Sequence, residues 1–197
     1  RVAVAAAQRL GIVAKSTLYY DLEAFNAGIA SCKASSLWFL AAWTNQVHSL
    51  GYVSGVYSSA ASGIKVLGDA RVTPGNRIAL PDQIWIADWN KKADTSSTYI
   101  RSDGWPGRRI HQYQGGHNET WGGVTINIDR NFLDVGTGSV AVPESHCGGV
   151  KIAYGIYPTL VPGTGDQAPQ PAKVKVVQCL LHEQQLYNGR INGVYNT

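Results

Sequence analysis

The stretch Thr17-Leu-Tyr-Tyr-Asp-Leu-Glu-Ala-Phe25 alternates with the period of a β-strand. Leu18, Tyr20 and Leu22 fall on one face, Asp21 and Glu23 on the other. Residues two apart in a strand point the same way and lie about 6.6 Å apart. Acids are rarely fully buried without a partner or a purpose. Two of them at the end of an aromatic and aliphatic strand predict an acid/base pair in a cleft.

Working outward from this strand, helix and strand alternate. Residues 2–10 are Ala-rich, with Val2, Ala6 and Leu10 at helical spacing and Gly11 as a stop. Downstream, Ser35 or Ser36 is the expected cap of a helix whose stripe is Leu37, Leu40, Ala41, Thr44, Val47 and His48. Tyr52–Tyr57 reads as a second strand, and Ile64 with Leu67 as a short helix stopped by Gly68. Ala70–Asp82 reads as loop, Gln83–Asp88 as a third strand, Arg108–Gln114 as a fourth and Val124–Arg130 as a fifth. This order predicts an α/β fold with parallel βα units, whose functional residues gather at the carboxyl ends of strands. Asp21, Glu23 and Asp129 are expected at such ends.

Composition narrows the class. Hydrophobic residues at 44% and charged ones at 15% describe a chain with a core. The 17 basic and 13 acidic residues give a net charge of +4, too small and scattered for a nucleic-acid footprint. No run of 18 apolar residues is present to cross a membrane. Six Trp and ten Tyr suit a sugar-binding cleft and equally suit core packing. The chain contains no Met, starts at Arg1 without a secretory leader, and reads as an excised piece of something longer. Cys32, Cys147 and Cys179 lack the close spacing of a zinc site; one disulfide plus a third cysteine, or three buried thiols, both fit.

After Asp134 the composition shifts. The expected division is 1–134 as a first domain, 135–150 as a linker rich in Gly, Ser and Pro, and 151–197 as a small second part. Pro162–Pro169 is loop-like, and Val174, Val177 and Leu181 share one face of the helix that follows. Asn118-Glu-Thr120 matches a glycosylation sequon and is read as a polar loop.

The acids carry the functional expectation. Thr125, Asn127, Asp129 and Asn131 share a face of the fifth strand. If the strands curl about one axis, Asp21, Glu23 and Asp129 converge on a common mouth. Glycoside hydrolysis needs one carboxylic acid to protonate the leaving oxygen and a second as base, nucleophile or electrostatic partner. Alone, the Asp-x-Glu pattern is equally that of ordinary acids at a solvated strand end.

Five ordered motifs strengthen it: Tyr19-Tyr-Asp-Leu-Glu-Ala24, Gly51-Tyr-Val-Ser-Gly-Val-Tyr-Ser-Ser59, Ile84-Trp-Ile-Ala-Asp-Trp89, His111-Gln-Tyr-Gln114 and Asn127-Ile-Asp-Arg-Asn131. Together they resemble the glycoside-hydrolase-like barrel of domain of unknown function 1906, a secreted actinobacterial domain. That domain is similar in turn to the family-25 lysozymes, which cut peptidoglycan. The resemblance covers roughly residues 1–134 and implies a partial TIM-like β/α barrel, because the chain opens on the helix just ahead of the acidic strand. It implies Glu23 as general acid with Asp21 and Asp129 beside it, and Tyr57, Trp89, Gln112 and Asn127 as substrate-binding residues. Trp85 and Trp89 are candidates for sugar stacking or for packing, while His48 and His111 are expected to be structural. No metal or cofactor is implied. The implied partner is peptidoglycan or a related wall polysaccharide, and the implied location is outside the cell, on the wall.

The C-terminal part has its own resemblance. Val174-Lys-Val-Val-Gln-Cys-Leu-Leu181 followed by Tyr187-Asn-Gly-Arg-Ile-Asn-Gly-Val-Tyr195 is similar to the first half of a small helical peptidoglycan-binding module. That likeness implies a Cys147–Cys179 disulfide and leaves Cys32 without a partner in this stretch. The reading that follows is a cell-wall glycoside hydrolase, with a non-catalytic wall-binding protein as the alternative.

Overall fold

The computed structural model describes residues 1–136, 144–152, 160 and 171–195. It divides into two compact units, Arg1–Ser139 and Val140–Thr197. The first opens with helix α1 (Val2–Arg9), strand β1 (Thr17–Leu22), helix α2 (Ala30–Ser49) and strand β2 (Val53–Ser59). A π-helical turn, Ala60–Ile64, runs directly into helix α3 (Lys65–Val72). Strands β3 (Gln83–Ala87), β4 (Arg109–Trp121) and β5 (Val124–Asp134) follow. The five strands form one curled half-barrel sheet in sequential order. Strands β1 to β4 are parallel and β5 is antiparallel to β4.

Strand alternation sorts the two faces. Tyr20, Leu22, Val56, Ile84 and Ile86 point toward the helices and pack with Leu40, Ala60, Ile64, Leu67, Ile100 and Trp105. Val56, Ile64, Ile84 and Ile86 are fully buried, each a contribution of about 1.5–3 kcal/mol. Helix α1 adds a second cluster in which Val4 and Ala7 meet Val47 and Tyr52. Tyr52 donates its hydroxyl to the Ile12 carbonyl at 2.7 Å.

Several local expectations change. Helix α2 begins five residues before Ser35, at Ala30, without a side-chain cap. Its buried residues are Leu40, Ala41, Thr44 and Val47, while His48 turns outward to Asp82 at 2.6 Å. Gly68 does not stop α3. It lies inside the helix, at a position where a Cβ would meet Ile100 Cγ2 at 2.6 Å, which is why glycine stands there. Strand β4 runs seven residues past Gln114 to Trp121 and returns as β5 through Gly122-Gly123, whose φ values are 57° and 83°. Two successive residues at positive φ are what a tight hairpin turn requires. The Asn118-Glu-Thr120 sequon is therefore strand, not loop.

Residues 88–108 connect β3 to β4 without a helix and are held from within the sheet. Buried Arg109 donates to the carbonyls of Thr95, Arg101, Ser102 and Gly104. The fully buried His111 ring lies between the carbonyls of Asp88 and Asp94, a structural position.

In the second unit, strands β6 (Glu144–His146) and β7 (Val150–Ile152) form an antiparallel pair, followed by helix α4 (Pro171–Glu183). Strand β6 falls within the stretch expected as linker; residues 137–143 of that stretch, and Pro162–Pro169, lie outside the described residues. Ile152, Val176 and Cys179 form the core of the unit. Val174 is buried, but Leu181 is exposed, so the buried face of α4 is not the Val174, Val177, Leu181 stripe. Cys147 and Cys179 are joined by a disulfide with Cα atoms 5.9 Å apart. Gln178 accepts from the backbone N–H groups of Asn192 and Gly193 and donates to the Val194 carbonyl, holding that turn against the helix.

Candidate active site

The concave face of the half-barrel is built by residues in register across the strands. Asp21 pairs with Tyr57, and Tyr57 with Trp85. One residue pair further along, Ser59 pairs with Ala87, Ala87 with Gln112, and Gln112 with Asn131. Register partners in neighbouring strands share a face. Acid, phenol, indole and amide are thus side by side because strand pairing, not loop geometry, aligns them.

Tyr19, Trp85 and Tyr57 line the floor. The Trp85 ring meets Tyr19 and Tyr57 edge-on, with centroids 5.7 and 5.3 Å away, and its N–H donates to Asn131 Oδ1 at 2.7 Å. Trp85 is therefore fixed on that floor by two ring contacts and one hydrogen bond. Gly55 makes this possible, since a Cβ there would lie 2.5 Å from the Tyr19 ring. Tyr19 donates to Gln83 Oε1, and burial pushes its phenol up to about 12.

Gln112 is the hub. Only 5% exposed, its Oε1 accepts from Trp89 Nε1 at 2.8 Å and from the Tyr57 hydroxyl at 3.1 Å. Its Nε2 donates to Asp129 Oδ2 at 2.9 Å. Asp129 Oδ1 accepts the Gly116 backbone N–H at 2.7 Å, so both carboxylate oxygens are fixed. The Trp89 indole leans on Gly115, where a Cβ would come within 2.2 Å of the ring; the other side of the ring stays open, at 63% exposure.

The acids expected from the sequence gather around Tyr57. Burial raises its phenol above the ordinary value, and the negative charges of Glu23, Asp21 and Asp129 act in the same direction. The Gln112 bond works against them. Asp21 and Glu23 are solvent-exposed at the carboxyl end of β1. An open cleft of about 330 Å³ lies beside them, lined by Glu23, Tyr57, Ser59, Asp88, Trp89 and Tyr99 among others. Of the residues expected from the sequence, Glu23, Tyr57 and Trp89 line that cleft, whereas Asp21, Gln112, Asp129 and Asn127 do not; the Asn127 amide donates to Asn118 Oδ1 across the hairpin, further out than Asp129.

Asp88 and Tyr99 are cleft residues that the sequence reading did not single out. Asp88 had a local signal, because it ends the Ile84–Asp88 run at the carboxyl end of a parallel strand. Tyr99 had none: it comes from the long 88–108 connection, placed by Arg109 and His111. Among the described residues, Cys147, Cys179 and Glu183 are close enough to share a metal ion, but the disulfide occupies both sulfurs.

No curated protein and no solved structure matches the chain. Residues 1–133 match the family described as Rv2525c-like, glycoside hydrolase-like domain. That match spans most of the chain and includes the half-barrel with its acids, so the chain belongs to the Rv2525c-like, glycoside hydrolase-like family.

Proposed function

We propose that this protein hydrolyses β-glycosidic bonds of peptidoglycan, with Glu23 protonating the leaving oxygen. Asp21 and Asp129 orient water or stabilise the positive charge that develops on the sugar ring. The family match supports a carbohydrate-active function. The observation that carries the finer reading is the placement of three carboxylates about Tyr57: Asp21 is its register neighbour, Asp129 is linked to it through Gln112, and Glu23 lines the same cleft, with an exposed indole at the rim. Trp89 supplies a flat apolar surface for a sugar ring, while Tyr57 and Gln112 keep that surface and Asp129 in fixed relation. The half-barrel is read as part of a TIM-like barrel, and the disulfide-closed second unit as a wall-binding module of a secreted protein.

The test is release of reducing ends from purified peptidoglycan. Glu23→Gln is expected to lower the rate about 100-fold or more, the usual worth of a positioned general acid. An unchanged rate refutes the mechanism. Retention on insoluble peptidoglycan without any released ends identifies a non-catalytic binding protein. The observation behind that second reading is the exposure of Asp21 and Glu23, since carboxylates facing solvent act on a developing charge through a high dielectric.

A further inference from the structure

The β4–β5 hairpin carries the cleft face outward past Asp129. Alternation along β5 places Asp129, Asn127 and Thr125 on one side. Opposite them stand Gly116, Asn118 and Thr120, joined by the Gly116–Asp129 bond, by Asn127 to Asn118 at 2.9 Å and by Thr120 to Thr125 at 2.9 Å. All four residues of the two outer pairs are exposed.

Register shows how this face stays continuous with the cleft. From Gln112 to Asn118 strand β4 uses six residues, while β5 uses four from Asn131 to Asn127. The difference is taken up by irregularities at Gln112/Gln114 and Gln114/His117. A single extra residue turns the later side chains of a strand to the opposite face. Two restore the phase, so Asn118 and Thr120 emerge on the same side as Gln112.

The reverse face carries its own cross-strand network beside the exposed Trp121, Val124 and Ile126. Glu119 accepts from His117 at 2.7 Å, from Arg130 and from Trp121 at 3.0 Å. That network adds to the β4–β5 ladder, to which the Asn and Thr pairs contribute a single cross-strand side-chain bond each. Each pair uses one donor and one acceptor and directs its other donors and acceptors to solvent.

We propose that the Asn118–Asn127 and Thr120–Thr125 pairs form a glycan-binding extension of the cleft, holding the sugars that follow the one beside Asp129. This rests on the carbohydrate reading above and deepens it: the preferred ligand is a chain, not an isolated sugar. The pairs are uncharged, which suits the hydroxyl and amide groups of a glycan and supplies none of the positive charge on which binding to a phosphate backbone relies. They also present no apolar anchor of the kind protein interfaces use. From Asp129 to Thr125 the face spans about 13 Å, more than one sugar ring.

Soluble glycan strands prepared from peptidoglycan and graded by length are the probe, with binding measured by calorimetry on the native protein and on Glu23→Gln, which leaves the strands intact. The native protein is expected to bind longer strands more tightly than the disaccharide. Asn118→Ala/Asn127→Ala and Thr120→Val/Thr125→Val are each expected to cut that long-to-short ratio about fivefold, one net hydrogen bond's worth. Ile126→Thr, on the reverse face, is expected to keep the ratio. The Val pair retains β-branched residues in the strand and decides the matter if the Ala pair loosens the hairpin. An unchanged ratio in the Val pair overturns the extension and leaves the proposed function standing. No binding by the native protein at any length overturns both.

Discussion

Gln112 donates its side-chain amide to Asp129 at 2.9 Å while its oxygen accepts from Trp89, so one buried group orients an acid and the exposed indole. Gln112→Glu keeps the shape but replaces the donor with a second carboxylate beside the first. It is expected to lower the unfolding free energy by about 1–3 kcal/mol at pH 7. The deficit against the native protein should shrink at pH 4, where protonation relieves the repulsion. Urea unfolding at the two pH values measures both numbers. An equal deficit at both rules out a charge effect.

Alkaline stability is tied to Tyr19. Its phenol is raised from 10.0 to about 12 by burial, so the unfolded chain releases this proton first as pH rises. The contribution is fully present below pH 10 and is lost as pH approaches 12. Tyr57 shifts in the same direction and adds to the slope. Unfolding midpoints followed from pH 9 to 11.5 should fall, and Tyr19→Phe should flatten most of the fall.

The acid limb belongs to the hairpin. Hydrogen bonds from His117 and Arg130 hold Glu119 down at about 2, against an ordinary 4.5. Its contribution is present above pH 4.5 and is lost as pH falls toward 2. Protection factors for hydrogen exchange at the β4–β5 amides, which correct for the slower intrinsic exchange in acid, should fall over that window. Glu119→Gln should give fast exchange already at pH 6, with little change at β1 to β3.

The second unit depends on its disulfide. Cys147 and Cys179 are 32 residues apart in sequence, and closing a loop of that length stabilises by about 3–4 kcal/mol in the chain-entropy view. Reduction should release α4 from the β6–β7 pair without unfolding the half-barrel. Thiol titration of the denatured, unreduced chain should find one group, Cys32, and three after reduction.

What could be read from the sequence was whatever repeats locally. Leu18, Tyr20 and Leu22 alternate with Tyr19, Asp21 and Glu23, and that alternation is enough to separate the core side of β1 from the cleft side. The apolar Ile84 and Ile86 mark β3 in the same way. The β4–β5 hairpin was harder because Gly115-Gly116 interrupts the alternation, and the two register shifts that absorb the interruption exist only once β5 is paired alongside. Gly68 looked like a helix stop because Gly destabilises helices; its reason, Ile100, is thirty-two residues away and invisible to any local pattern. Gln112 was marked by resemblance alone. Its role as hub depends on Trp89, Tyr57 and Asp129, which come from three other parts of the chain.

Strand β5 is the one strand of its sheet that enters from the open end. In β1 to β3 the chain climbs toward the mouth and turns back there, so any lengthening at that end must reshape a loop over the acids. In β5 the chain descends from the Gly122-Gly123 tip, with Thr125 and Asn127 ahead of Asp129. Residues added at the tip in pairs would lengthen the arm while every partner below it kept its neighbour. The reach of the hairpin is therefore independent of the placement of the acids at its base.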